Sequence, residues 1–302
     1  MVFSVTADSG GSVVRQQQSA FRPRYGKVFL TFARNSLIRD MSFRTNFILQ
    51  SISTMSWAIM NVGFYIIIFQ FTNEIGAQTG WGKYEFFVFL ATTWIINSII
   101  QTFFMPNAQE FSELIRTGNF DFALLKPIDT QFIISFPRID WSSLSTCMMG
   151  IGLLSYSLYQ LMVVADVPLV LAWPVLFLYP LYLVCGVAIM YSVMISLAAT
   201  SVWFGRNQTL YNFWFYLTNF SRYPMEIYKT GWGMGLWIAF TFFIPVLLVV
   251  NIPARFLARP LDGMTSADWQ LAAFALCASI GSLFVSRRIF KRALRSYRSA
   301  SS

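Results

Sequence analysis

The sequence predicts an all-α membrane protein with six transmembrane helices, an N-terminal amphipathic interfacial helix and a short cytoplasmic helix between the second and third spans. Three observations predict it. The chain has 302 residues, of which 56% are hydrophobic and only 12% charged, with a mean hydropathy of +0.55; soluble domains carry about 25% charged residues. The apolar residues gather in six stretches near the ~20 residues that cross about 30 Å of hydrocarbon. The 22 basic residues flank these stretches instead of forming a soluble basic face, so their natural partners are lipid headgroups and not nucleic acid.

Residues 1–46 are predicted to form a cytoplasmic N-terminal segment. The first thirty are polar and then basic, with no apolar core followed by a small-residue cleavage site, so the segment is expected to stay uncleaved. Within residues 24–44, Val28, Phe29, Phe32, Leu37 and Ile38 oppose Lys27, Arg34, Arg39 and Arg44. That pattern predicts a basic amphipathic helix lying in the inner headgroup layer.

The transmembrane domain, residues 47–287, then divides into spans at about 47–71, 84–105, 142–164, 169–203, 231–254 and 269–287. The fourth is longer than a bilayer requires and carries Pro168, Pro174 and Pro180 near its start, which predicts an interfacial or kinked lead. The fifth contains Pro245 and Pro253, which predict a break or re-entrant turn. Residues 207–222, rich in Tyr, Phe and Trp, are expected to form a second interfacial helix. Residues 288–302 are a basic cytoplasmic tail.

Orientation follows from the positive charges, which favour the cytoplasmic side. Arg15, Arg22, Arg24, Lys27, Arg34, Arg39 and Arg44 precede the first span, and Arg287, Arg288, Lys291, Arg292, Arg295 and Arg298 lie at or beyond the end of the last. With both termini inside and an even number of spans, the loops at 106–141 and 204–230 are also expected inside. Lys83, Arg255 and Arg259 are then the basic residues left on the far side.

The loop Asn107 to Asp129 interrupts the apolar pattern. Asn107 is expected to act as an N-cap with Glu110 completing a capping box, and Gly118 is expected to stop the helix, giving a helix over 108–117. One face then carries Phe111, Leu114 and Ile115, and the other Glu110, Glu113 and Arg116. Beyond Gly118, Phe120, Phe122, Leu124 and Leu125 lead to Lys126-Pro127, where the proline disfavours helix at the residue before it.

Catalytic chemistry finds little support. There is no histidine, which removes the commonest general base and metal ligand. Cys147, Cys185 and Cys277 lie far apart in apolar segments without metal or redox spacing. An intramembrane lipid- or prenyl-modifying enzyme would need converging groups, and Asp121, Asp129 and Asp140 lack a D-D-x-x-D-like spacing. A secondary transporter would need ionisable groups at membrane depth, where Glu85 alone comes close. Asn61, Asn97, Gln101, Ser192 and Ser196 fall inside spans, and polar side chains there either line a translocation path or bond between helices. The aromatic-rich, weakly polar interior is expected to suit a hydrophobic or amphipathic cargo.

The order of R-x-G-x-x-D-x-x-L-L-K-P at Arg116 to Pro127, R-I-D at Arg138 to Asp140, S-R-Y-P-x-x-I-Y at Ser221 to Tyr228, I-P-V at Ile244 to Val246 and the tail Arg292 to Ser302 resembles the permease subunits of bacterial type-2 ABC exporters, over essentially the whole chain. Lys229 departs from that pattern where a proline is expected after Tyr228, and Asn119-Phe120 replaces an acidic-Leu pair. The resemblance implies an inner-membrane permease that takes energy from two copies of a separate cytoplasmic ATPase and shares its path with a second, related permease. The chain agrees in having no G-x-x-x-x-G-K-[ST] phosphate cradle, since Gly26-Lys27 and Gly82-Lys83 lack the spacing. The 107–129 loop would then be the coupling element, with Glu110, Glu113 and Arg116 as polar contacts, Phe111 and Leu114 as anchors, and Gly118, Lys126 and Pro127 setting its shape. No cofactor is implied.

Overall fold

The computed structural model describes residues 24–76, 79–165, 168–204 and 208–297; the expectations for residues 1–23, Arg206 and residues 298–302 lie outside them. Among the described residues all regular structure is helical. Five helical runs are long and apolar enough to cross a membrane, and a sixth candidate is a helix pair bent by 85°.

Helix α1, Tyr25–Ser42, turns Phe29 onto Phe103 and Phe136 and leaves Leu30, Leu37 and Ile38 exposed. The chain breaks at Phe43 and continues as α2, Arg44–Ile68. Helices α3, Lys83–Phe103, and α4, Met105–Arg116, run on as one 34-residue element. The short helices α5, Phe120–Leu124, and α6, Thr130–Ser135, follow. Helix α7, Leu144–Tyr159, is entered through a tight turn whose cap is Asp140, which accepts from Ser142 N at 3.0 Å. Helices α8, Val175–Ala199, and α9, Ser201–Phe204, lead to α10, Gln208–Asn219. Then come α11, Gly233–Ile238, extended by a wider turn to Phe243, α12, Val246–Ala258, and α13, Ser266–Ser296.

The core forms around α3, where Phe86, Phe87, Phe89, Ile96 and Ile100 are fully or almost fully buried against α7, α8 and α12. Close helix approach needs small residues, because lipid offers no hydrophobic drive between helices. Pro253 lacks the N–H that would bond the Val249 carbonyl, and that oxygen lies against Gly186 of α8, where a Cβ would sit only 2.7 Å away.

The bundle has two polar faces. One holds both described chain ends: Tyr25 stacks edge-on against Phe132 with ring centroids 5.0 Å apart, and Tyr297 against Phe120 at 4.9 Å. At the opposite face Trp81 Nε1 donates to Glu226 at 3.1 Å, Arg259 donates to Thr79 O at 2.9 Å, and Arg255 bridges Glu226 and Asp268.

That clustering corrects the expectation for residues 204–230. Glu226 stands beside Trp81 and Arg255, and Tyr223 meets Tyr65 near the far end of α2, so Arg222 and Lys229 belong to the face opposite the termini. The chain passes from face to face along α10, where an interfacial helix was expected. The 231–254 stretch is a re-entrant pair instead of a simple span. It leaves from Gly233 beside Tyr228, turns at Ile244-Pro245 and returns to Arg259 beside Thr79. One crossing replaces another, so both chain ends stay on one face. The cause is Pro245, which has no N–H to continue the helix, and α12 meets its remaining needs within the protein because all thirteen of its residues are buried.

Candidate functional site

A cavity of about 490 Å³ lies between α2, α3, α10 and the start of α7. It is lined on α2 by Gln50, Ser53, Thr54, Trp57, Asn61 and Tyr65, and on α3 by Leu90, Thr93, Trp94, Asn97, Ser98 and Gln101. These recur every three or four residues, so each set forms one stripe along its helix. Asp140, Ser143 and Thr146 close the termini-bearing end, and Trp214, Phe215, Thr218, Arg222 and Tyr223 supply the third wall.

The structure brings Asn61, Asn97 and Gln101 together in this cavity. It does not bring Ser192 and Ser196 there: their hydroxyls each donate over 2.7 Å to a carbonyl one turn back in α8, Ala188 O and Ser192 O, a local bond that satisfies them in place. Gln50, Ser53, Thr93, Ser98, Thr218 and Arg222 were not singled out from the sequence. The signal was the same polar stripe, at 50, 53, 57 and 61 on α2 and at 93, 97 and 101 on α3. Arg222 was missed because its segment was assigned to the other face.

Hydroxyl and amide side chains recur along the wall among apolar and aromatic ones, so the cavity is amphipathic. Thr93 and Ser98 donate to Phe89 O and Ile95 O of their own helix at 2.9 Å, which leaves their oxygen lone pairs to the cavity. Trp214 is buried and its indole N–H has no acceptor among the described residues. Arg222 is half-buried against the Phe215 ring, 5.4 Å from its centroid, and among the described residues it pairs with no carboxylate. Asp140, by contrast, is well served: its two oxygens accept from Ser142 Oγ at 2.6 Å and Ser143 Oγ at 2.8 Å.

The loop below the cavity is more rigid than its sequence suggests. Asn107 is not an N-cap, because α4 continues α3 and begins at Met105. Asn107 is instead buried and works as a joint: its amide nitrogen donates to Phe103 O at 2.8 Å, Ser135 O at 3.0 Å and Arg138 O at 2.7 Å, and its oxygen accepts from Arg138 N at 2.8 Å. Glu110 pairs with Arg138 at 2.6 Å and Glu113 with Arg116. Asp129 caps α6 and pairs with Arg287 of α13.

Phe111 and Leu114 point inward. Phe111 is fully buried with Phe120, Ile195, Ala199, Phe290 and Ala293, and Leu114 packs against the same cluster, so both anchor α4 to the chain's own α8 and α13. Gly118 stops the helix with φ +73, a conformation glycine adopts without strain. What the loop presents outward is its tip, where Phe122 is 68% and Leu125 80% exposed and Lys126 and Pro127 are exposed beside them. The three aspartates do not converge: Asp121 lies by Tyr297, Asp129 by Arg287 and Asp140 at the cavity mouth.

Among known families, the one described as ABC-2 family transporter protein matches residues 55–301 of this chain. No curated protein and no solved structure matches it.

Proposed function

The chain belongs to the ABC-2 transporter family, and from that premise we propose that it is one permease subunit of an ATP-driven exporter in a bacterial inner membrane. Family members are membrane permeases that generally work with a cytoplasmic ATPase. In this reading the termini-bearing face is cytoplasmic, two ATPase copies dock there, and a second, related permease completes the path begun by the α2, α3 and α10 cavity. ATP hydrolysis takes place in the partner, and this chain does mechanical work.

One observation carries the coupling. The element Lys83–Arg116 joins the cavity wall at Asn97 and Gln101 to the loop at its other end without a loop between them. A push on the loop is therefore passed along a rigid helix, as hinge and shear motions are. The contact made with the ATPase is the exposed tip, from Arg116 through Phe122 and Leu125 to Lys126 and Pro127, while Glu110, Phe111 and Leu114 hold the tip to α8, α13 and Arg138. Glu113 and Arg116, exposed as a pair, add polar contacts.

The test uses the full complex, with its ATPase and second permease, in proteoliposomes. Replacing both Phe122 and Leu125 with Glu should leave the complex assembled and uncouple ATP turnover from transport. Normal coupled transport in that variant would sink the assignment of the tip.

A further inference from the structure

We propose that the cavity takes an acidic saccharide headgroup, its sugar hydroxyls bonded by the amides of α2 and α3 and its single acid held by Arg222. This rests on reading the cavity as the cargo path, and it narrows the cargo by chemistry. Asn61, Asn97 and Gln101 have no hydrogen-bond partner elsewhere in the described chain, so each offers a free donor and a free acceptor. Thr93 and Ser98 spend their protons on their own helix and offer lone pairs. A wall that alternates donors and acceptors matches a ligand dense in hydroxyls, since each hydroxyl both gives and takes a hydrogen bond.

The tryptophans add the second element of sugar recognition. Trp57, Trp94 and Trp214 all line the cavity, and their flat faces can pack against the C–H face of a pyranose ring while an indole N–H meets a hydroxyl. A purely apolar cargo would leave the amides desolvated and unpaired, which costs free energy. The volume, about 490 Å³, lies within the range of small-ligand sites.

Charge supplies the third element. Asp140 sits at the termini-bearing end, where Ser142 and Ser143 bond its two oxygens, and the positive group on the wall is the Arg222 guanidinium, at the other end. A half-buried guanidinium with no carboxylate favours one carboxylate or phosphate oxygen pair, which it grips with two parallel N–H donors.

The experiment measures binding to the assembled complex in nanodiscs by tryptophan fluorescence, without ATP. The probes are octyl glucuronide, octyl glucoside and octanoate, which separate the sugar from the acid on comparable short tails. Octyl glucuronide should bind about tenfold more tightly than either of the others, the gain of one charge-assisted contact. Arg222→Gln should reduce the glucuronide to the affinity of the glucoside, and Arg222→Lys should keep part of the preference. Equal binding of glucuronide and glucoside by the wild type would overturn the acid, equal binding of octanoate would overturn the saccharide, and no binding of any probe would overturn both. The wild-type comparison needs no variant to fold. Binding is read without ATP turnover, so uncoupling at the loop tip and loss of sugar preference are separate failures.

Discussion

At the face that holds both chain ends the charged contacts are partly exposed and spread over a loop, Glu110 with Arg138 and Asp129 with Arg287, whereas at the opposite face one buried guanidinium, Arg255, reaches two carboxylates at once. Arg255 is 6% exposed and its partners Glu226 and Asp268 are 15% and 18% exposed; Asp129 and Arg287 are about a third exposed. Buried charges are tied by the cost of separating them, while exposed pairs contribute little and exchange readily. The opposite face therefore fixes the re-entrant pair α11–α12 to α13 and to the loop around Trp81, and the termini-bearing face is the one free to respond to a partner.

The largest effect should come from breaking the buried cluster. Arg255→Met leaves Glu226 and Asp268 charged and without their partner, which should lower stability by about 3–5 kcal/mol and be visible as a lower unfolding midpoint in detergent. Replacing the partners as well, Arg255→Met with Glu226→Gln and Asp268→Asn, should recover most of the loss, because neither amide has a charge to desolvate, Gln at 226 still accepts from Trp81 Nε1 and Asn at 268 still serves the capping box begun by Thr265. A harmless single variant would show that water reaches Arg255, and the contrast between the faces would collapse.

The contrast between the faces was only partly legible in the sequence. Hydropathy found α2, α3, α7, α8 and α13 because each is long and apolar, and Pro245 marked the break in the fifth stretch because a missing N–H is a local property. The passage along α10 was not legible: its twelve residues mix Gln, Thr and Asn with aromatics, and a helix that lines a polar cavity looks like one lying in the interface. The charge pattern could not arbitrate, since moving Arg222 and Lys229 to the far face leaves the excess on the near one. At the loop, Gly118 announced its turn, but Asn107 was read as a cap because its role depends on Ser135 and Arg138, which lie 28 and 31 residues further along the chain.

That joint gives the intermediate effect. Asn107→Leu leaves the Phe103, Ser135 and Arg138 carbonyls and the Arg138 N–H without this partner, at a cost of about 1–3 kcal/mol for buried groups, and it loosens the base of α4 under the cavity. Glu110→Gln removes a partly exposed ion pair instead and should cost less than about 1 kcal/mol. The two variants separate rigid transmission from charge: coupling of ATP turnover to transport should fall in Asn107→Leu and stay near normal in Glu110→Gln. The reverse order would mean that charge at the loop, and not its backbone joint, carries the signal.

The smallest effect should come from acid at Asp129. Hydrogen bonds from Arg287 hold its carboxyl below the ordinary carboxylate range, against the opposing pull of partial burial, with the Phe132 N–H helping. A depressed value in the folded protein means that the contact stabilises fully above the unfolded pKa, near 4, and is lost as pH falls from there through the folded value. Since both partners are about a third exposed, the contribution is under about 1 kcal/mol, so the fold should survive while the segment from Phe120 to Ser135 loosens. Hydrogen-exchange protection of that segment, taken relative to the intrinsic rate at each pH, should be flat from pH 7 down to about 4 and fall below it, and Asp129→Asn should show the lower protection throughout. A loss of protection that began near neutral pH would assign the change to another group and leave the Arg287 tie without a part in holding the loop.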